Sequence, residues 1–125
     1  MSREKKMTGS IGEKAAVEFL KDRGYEILDT NYRTIFGEID AVAKKDGFII
    51  FIEVKTRSSS SLGAPYLAVN ALKKRHIIKN ALFYLKKHCL AYDIDWRIDV
   101  VSVLTAPYGG VKDIEIFENA VEEQV

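Results

Sequence analysis

Asp40, Glu53 and Lys55 are the residues whose types and spacing best suit a chemical reaction. Side chains alternate between the two faces of a strand, so Glu53 and Lys55, two residues apart, share a face. If Asp46-Gly47 forms a two-residue hairpin turn, Asp40 lies directly opposite Glu53, and Glu38 lies opposite Lys55. Directly opposed residues have Cβ atoms about 4.5–5.5 Å apart. Two carboxylates at that separation repel each other unless one is protonated or a cation joins them.

The placement of these side chains depends on the length of the turn. A four-residue turn keeps them on one face, whereas a simple three-residue turn moves them to opposite faces. On one face, two carboxylates beside an ammonium group predict a site for Mg²⁺, with Mn²⁺ as a substitute, because Mg²⁺ prefers oxygen ligands. Such a metal polarises a phosphodiester and lowers the pKa of a bound water, and the ammonium group holds that water or offsets charge on the phosphate. The alternative for each residue alone is a structural salt bridge or an exposed strand end.

Glu13 is a fourth candidate, on a helix that the sequence predicts over about residues 11–23. The helix is expected to start there because Ser10 and Glu13 have capping-box spacing, and to stop at Gly24. On a helical wheel Glu13 falls within the apolar stripe that should face the core. An inward-facing carboxylate is costly without a partner, which favours a functional role. A capping-box glutamate at the same position explains the residue equally well.

The elements that must position these residues follow from hydrophobic periodicity and turn signals. After the first helix, the sequence predicts an edge strand, a hairpin of two strands, a second helix and two further strands. Their ranges are residues 25–32, 36–43 and 48–55, then from about 65 or 70 to 90, then 96–104 and 112–117. An antiparallel hairpin followed by a helical crossover requires a mixed sheet. We therefore expect an α/β fold with a mixed five-stranded sheet flanked by helices.

The composition suits a single cytoplasmic domain. The chain has 125 residues, of which 47% are hydrophobic and 30% charged, so we expect one domain over residues 1–125. Within it we expect a flexible basic N-terminus over about residues 1–9 and an acidic C-terminal tail over about residues 118–125. One cysteine excludes an internal disulfide, and no apolar run approaches the length of a membrane span. The polar N-terminus lacks the apolar segment of a secretory signal.

Cationic side chains are concentrated in the middle of the chain. Between Val54 and Tyr92 there is no aspartate or glutamate, although the net charge of the whole chain is only +1. Such a segment attracts phosphate groups locally while the protein stays near neutral overall. We predict contacts with DNA phosphates from five side chains, which are Arg33, Arg57, Lys73, Lys74 and Arg75. The alternative is a solvated, lysine-rich helix face.

The spacing of the candidate residues resembles the D…(D/E)xK signature of the PD-(D/E)xK nuclease superfamily, since twelve residues separate Asp40 from Glu53-Val54-Lys55. Ile39 stands where that signature often has a proline. The wider sequence resembles the YraN-like family of small bacterial endonucleases, which is similar in fold to archaeal Holliday junction resolvases. The matching pieces span about residues 9–104 and are Gly12-Glu13, Asn31-Tyr32-Arg33, Gly37-Glu38-Ile39-Asp40, residues 51–57, Lys73 and Arg97-Ile98-Asp99.

The resemblance implies a restriction-endonuclease-like core and a role for each matching residue. Asp40 and Glu53 would be metal ligands, and the carbonyl oxygen of Val54 would add a third. Lys55 would position or activate the attacking water, and Glu13 would act on the metal or on the water. The implied function is Mg²⁺-dependent hydrolysis of DNA phosphodiester bonds. By analogy with junction resolvases, we expect branched or flapped DNA as substrate and a homodimer as the active form.

Two other functions are compatible with the same sequence. A non-catalytic nucleic-acid-binding or adaptor protein could retain the nuclease fold, but it would have no need to hold repelling carboxylates together. A structural interaction module would instead use the acidic C-terminal tail. Metal dependence of stability and cleavage of branched DNA distinguish the enzyme from both alternatives.

Overall fold

The computed structural model describes residues 3–58, 71–88 and 94–120, with side chains described over residues 11–58, 74–88 and 94–120. In chain order the helices and strands are α1 (Arg3–Asp22), β1 (Glu26–Thr34), β2 (Gly37–Lys45), β3 (Phe48–Ser58), α2 (Ala71–Lys87), β4 (Asp95–Thr105) and β5 (Val111–Phe117). The strands form one sheet in the order β1-β2-β3-β4-β5, with β3 and β4 parallel and the other neighbours antiparallel. The predicted α/β fold with a mixed five-stranded sheet is confirmed, and β1 lies at an edge as expected.

Helix α1 is longer than the sequence predicts. It begins at Arg3 instead of at about residue 11, so Ser10 lies inside the helix and cannot be its N-cap. The predicted start is wrong because the capping pattern is short and the residues before it include arginine, glutamate, lysine and methionine, which are good helix formers. The predicted end is confirmed. Gly24 has a φ of 87°, and the N–H of Tyr25 donates to the carbonyl of Leu20 at 3.0 Å, as in a Schellman motif.

The hairpin between β2 and β3 has the predicted two-residue turn. Asp46-Gly47 has φ values of 51° and 83°, the left-handed backbone that a type I′ turn requires at both positions. Lys45 pairs with Phe48, and the ladder continues in this register as far as Ala41 and Ile52. The predicted turn length and register are therefore confirmed over this part of the hairpin.

The sheet is covered by one helix on each face. The core under α2 contains Ile49, Phe51, Ile77, Tyr84 and Ile98, and the core under α1 contains Ala16, Leu20, Ile50, Ile52 and Val101. Strand β3 contributes side chains to both cores, which is why its sequence is apolar on both faces. It is an interior strand, as the sequence predicts.

Helix α2 is fastened to the hairpin of β1 and β2 by a buried amide. Asn80 donates to the carbonyl of Gly37 at 3.0 Å and accepts a hydrogen bond from the Thr34 hydroxyl. The helix begins at Ala71, next to the later of its two predicted starts, and both predicted starts lie in residues 59–70, outside the described residues. None of the described helices is long and apolar enough to cross a membrane.

A buried ion pair on β4 links the residue before β1 and the segment after β5 to this interior strand of the sheet. Asp99 is fully buried and pairs with Arg97 at 3.0 Å between Oδ1 and Nε. The same carboxylate accepts hydrogen bonds from the Tyr25 hydroxyl at 3.2 Å and from the Asn119 N–H at 2.9 Å. A buried carboxylate with this many donors is fully compensated. We therefore assign Asp99 a structural role.

Candidate functional site

The ladder between β2 and β3 ends where the candidate site begins. Its last pair is Ala41 with Ile52, and in a continued register Val54 would lie opposite Ile39. Instead, the Val54 N–H donates to Oδ2 of Asp40 at 2.7 Å. The Asp40 carboxylate therefore accepts the hydrogen bond that a backbone carbonyl of β2 would accept in a continued ladder. The regular pairing of β2 with β3 stops here.

The alternation of side chains along β2 is interrupted at Asp40. Ile39 packs in the core under α2, whereas Ala41, two residues later, packs in the core under α1. Opposite Asp40 on β1, between the pairs Thr30–Ala41 and Tyr32–Ile39, Asn31 has a left-handed φ of 52°. Local distortions of this kind re-aim side chains and are frequent beside active sites. This one directs the Asp40 carboxylate toward α1.

Three carboxylates converge at this interruption. One oxygen each from Glu13 on α1 and from Glu38 and Asp40 on β2 all lie within 4.8 Å of one another. All three residues are half-buried. Glu13 thus faces the sheet as the helical wheel predicts, and the structure excludes its capping-box role because the helix begins ten residues earlier, at Arg3.

Two of the clustered carboxylates, Asp40 and Glu13, have a raised pKa. Burial raises the pKa of Asp40 to about 7, aided by the charge of Glu53 and then by those of Glu13 and Glu38, while the hydrogen bond from Val54 opposes the rise. Burial also raises the pKa of Glu13, together with the charges of Glu38 and Glu53. Carboxylates that disfavour one another's ionisation form a site that a bound cation would stabilise.

Glu53 and Lys55 lie on β3, outside the group of three converging carboxylates. Glu53 is only 5% exposed, and its Oε1 is 3.6 Å from Nζ of Lys55. The prediction that Asp40 lies directly opposite Glu53 is wrong in detail, because the ladder stops one pair earlier and Asp40 is turned. Among the charges acting on the pKa of Asp40, that of Glu53 is nevertheless the largest. The two acids interact across the end of the ladder and not as an opposed pair.

Glu38 is the member of the cluster to which sequence reasoning gave no role at the site. The prediction that it lies opposite Lys55 is wrong, because the pairing of β2 with β3 does not extend to it. It pairs with Arg33 across β1 and β2, with 2.8 Å between Oε2 and Nε. The signal available in the sequence was its spacing of two residues from Asp40, which places both on one face of a regular strand.

The predicted phosphate-binding cations lie in different parts of the fold. Arg33 is at the rim of the carboxylate cluster, with its side chain 76% exposed. Arg57 is half-buried on β3, while Lys74 is half-buried and Arg75 exposed on α2, across the sheet from α1. The side chain of Lys73 lies outside the described residues. For these residues a DNA-binding role stays a prediction.

A cavity of about 430 Å³ adjoins the cluster between α1 and the strands β1 and β2. Glu13 and Asp40 lie in its lining, and the rest of its wall is mainly apolar, with Val17 and Leu20 on the helix and Val54 on β3. Its volume is within the range of small-molecule sites. The carboxylates therefore border a space that can admit a ligand group.

Comparison with known proteins places this arrangement in one family. Residues 12–103 match the uncharacterised protein family UPF0102. The chain belongs to the UPF0102 family. A UPF0102 protein of Acetivibrio thermocellus is 45% identical over 120 residues, covering 93% of this chain and 92% of that protein. Another, of Clostridium acetobutylicum, is 39% identical over 122 residues, covering 98% and 99% of the two chains. The matched UPF0102 region contains the three clustered acids as well as Glu53 and Lys55.

Proposed function

We propose that this protein is a metal-dependent endonuclease that hydrolyses phosphodiester bonds of DNA, with Mg²⁺ as its metal and Mn²⁺ as a substitute. One observation carries the proposal, which is the convergence of oxygens from Glu13, Glu38 and Asp40 within 4.8 Å. Burial and repulsion raise the pKa of Asp40 to about 7, so the cluster is unfavourable when fully ionised. A divalent cation removes this repulsion and uses the same oxygens.

The donor set fits a hard cation. Carboxylate and carbonyl oxygens suit Mg²⁺ and Mn²⁺, and no histidine or cysteine belongs to the cluster among the described residues. Glu13, Glu38 and Asp40 would hold the metal, and Glu53, the other ligand predicted from the sequence, would complete the shell directly or through water. In an antiparallel pair the N–H and C=O of one residue point to the same neighbouring strand. Since the Val54 N–H points to Asp40, its carbonyl oxygen faces the same side and can serve as the third predicted ligand.

Lys55 supplies a positive charge next to Glu53. Its ammonium group is 3.6 Å from Glu53 and its side chain is 23% exposed, so it is anchored on one side and open to solvent on the other. From this position it would orient the attacking water and offset charge that develops on the phosphate. When bound, the metal supplies Lewis-acid polarisation of the phosphodiester and a water of lowered pKa.

The cations at and beyond the rim would bind the DNA backbone. Arg33 lies beside Glu38 with most of its side chain in solvent, so it can contact a phosphate next to the cluster. The other predicted contacts are Arg57, Lys73, Lys74 and Arg75. Such binding depends steeply on salt and carries little base preference. We further propose branched or flapped DNA as the substrate and a homodimer as the active form, because symmetric cutting of two strands needs two sites.

A cleavage assay tests the proposal. Flap, fork and four-way DNA are incubated with the protein in Mg²⁺, Mn²⁺ or EDTA, using wild type, Asp40→Asn, Lys55→Ala and the exposed control Lys112→Ala. We expect metal-dependent cleavage by wild type and Lys112→Ala, and a loss on the order of 100-fold or more in the other two variants.

Two outcomes contradict the proposed function. Cleavage that survives unchanged in Asp40→Asn and Lys55→Ala would come from another nuclease in the preparation. An absence of cleavage on every substrate, with DNA binding retained, would favour the non-catalytic nucleic-acid-binding protein.

A further inference from the structure

Gly12 lies inside α1, next to Glu13, and its backbone is in close contact with Thr56 of β3. A Cβ atom built on Gly12 would overlap Oγ1 of Thr56 and lie 3.0 Å from both Cβ and Cγ2 of that residue. Rotation of the Thr56 side chain cannot relieve the contact with its Cβ, because that atom does not move with χ1. A side chain at position 12 therefore requires the helix and β3 to separate.

The neighbouring positions on the same stripe of α1 are filled by larger side chains. Ala16 and Leu20 follow Gly12 at intervals of four residues, and both are fully buried against the sheet. Glycine weakens a helix interior relative to alanine, so its presence here calls for a packing reason.

We propose that Gly12 is a positioning residue, whose contact with Thr56 sets the distance at which Glu13 reaches Asp40 and Glu38. The inference rests on the proposed function for its consequence, since the carboxylates it aligns are the proposed metal ligands. Ligand positions in metal sites must be held within about 0.5 Å. The overlap of an added methyl group with Oγ1 of Thr56, and its 3.0 Å contacts with Cβ and Cγ2, require a shift of at least a few tenths of an ångström, which is comparable with that tolerance.

The test compares Gly12→Ala, Thr56→Gly and the double variant Gly12→Ala/Thr56→Gly. In Gly12→Ala we expect Mn²⁺ affinity, measured by calorimetry, to fall on the order of tenfold or more. In the double variant, space for the added methyl group is restored, and we expect an affinity within about threefold of Thr56→Gly alone. Thermal unfolding in EDTA measures the stability of each variant separately from its metal affinity. Rescue of the affinity by Thr56→Gly would also show that Gly12→Ala had not simply unfolded the protein.

Crystal structures of the same variants decide the inference without reference to metal binding. We expect the carboxylates of Glu13 and Asp40 to separate beyond 4.8 Å in Gly12→Ala and to return in the double variant. An unchanged separation in Gly12→Ala overturns the inference, as does a double variant as impaired as Gly12→Ala. A wild-type protein that binds no Mn²⁺ would overturn the proposed function, while the structures would still settle the role of Gly12.

Discussion

The carboxylate of Asp40 accepts a 2.7 Å hydrogen bond from the N–H of Val54, one step beyond the last pair of the β2–β3 ladder. This bond fixes the orientation of Asp40, on β2, against β3, the strand that carries Glu53 and Lys55. The bond uses Oδ2, so Oδ1 is the oxygen of Asp40 that takes no part in it. The Asp40 side chain thus forms the last contact between β2 and β3 and also belongs to the proposed metal site.

Asp40→Asn is expected to make the metal-free protein more stable at pH 8. The folded pKa is about 7 against an ordinary 3.8, so between those values the folded state retains a proton that the unfolded state loses. The free energy of unfolding contributed by this group therefore falls as pH rises from about 4 to 7, by at most about 4 kcal/mol. Asparagine removes this penalty and can still accept the Val54 hydrogen bond.

Urea unfolding in EDTA at pH 4 to 8 measures the effect. We expect Asp40→Asn and wild type to be similar at pH 4 and to diverge as pH rises. Asp40→Ala serves as the matched control, because it removes the charge and also leaves the Val54 N–H without its acceptor, at a cost of about 1–3 kcal/mol. An Asp40→Asn variant less stable than wild type at pH 8 contradicts the raised pKa.

Divalent metal is expected to raise the melting temperature of the wild-type protein. A ligand that binds only the folded state at 100 times its dissociation constant adds about 2.7 kcal/mol. Asp40→Asn should abolish the shift produced by Mg²⁺ or Mn²⁺, whereas Glu115→Gln, which changes an exposed acid on β5, should retain it. Equal shifts in both variants would show that the metal binds elsewhere.

Arg33→Ala is expected to weaken DNA binding with little effect on stability. The side chain is 76% exposed, so its ion pair with Glu38 contributes at most about 1 kcal/mol. Loss of one phosphate contact should reduce the slope of log affinity against log salt by about 1. Fluorescence anisotropy of labelled DNA over a salt series measures the affinity and its slope against salt, with Lys112→Ala as control. A slope identical to that of wild type removes Arg33 from the DNA interface.

Asp99→Ala is expected to destabilise the fold without removing the metal site. It leaves Arg97 and the hydroxyl of Tyr25 without their buried partner, which should cost about 3–5 kcal/mol. Urea unfolding measures the loss, and calorimetry with Mn²⁺ below the unfolding transition should give an affinity close to that of wild type. A tenfold loss of Mn²⁺ affinity would show that Asp99 belongs to the site.

The turn made the hairpin predictable from sequence. Asp46-Gly47 can adopt the left-handed backbone that a two-residue turn demands, and this alone sets the pairing of Lys45 with Phe48. Alternation then places every side chain of β3 correctly up to Ile52. The start of α1 was not predictable from its capping pattern, because a helix continues through a good cap when the preceding residues also favour helix.

The interrupted alternation of side chains at Asp40 could not be predicted from the sequence pattern. Alternation assumes a regular strand, whereas here Asn31 has a left-handed φ and Ile39 and Ala41 pack on opposite faces. The sequence pattern predicts that Asp40 and Glu53 are direct opposites, whereas the ladder ends at Ala41 and Ile52. Glu38 could have been placed with Asp40 from their spacing of two residues, but its approach to Glu13 depends on how α1 packs on the sheet.

An anomalous difference map, recorded near the manganese absorption edge from crystals soaked in Mn²⁺, shows directly whether the clustered carboxylates bind a metal ion. We expect a single strong peak about 2.0–2.3 Å, the coordination distance, from an oxygen of Asp40 and from at least one oxygen of Glu13, Glu38 or Glu53. A saturating soak that leaves these carboxylates without a peak, or places the ion away from Asp40, would contradict the proposed metal site.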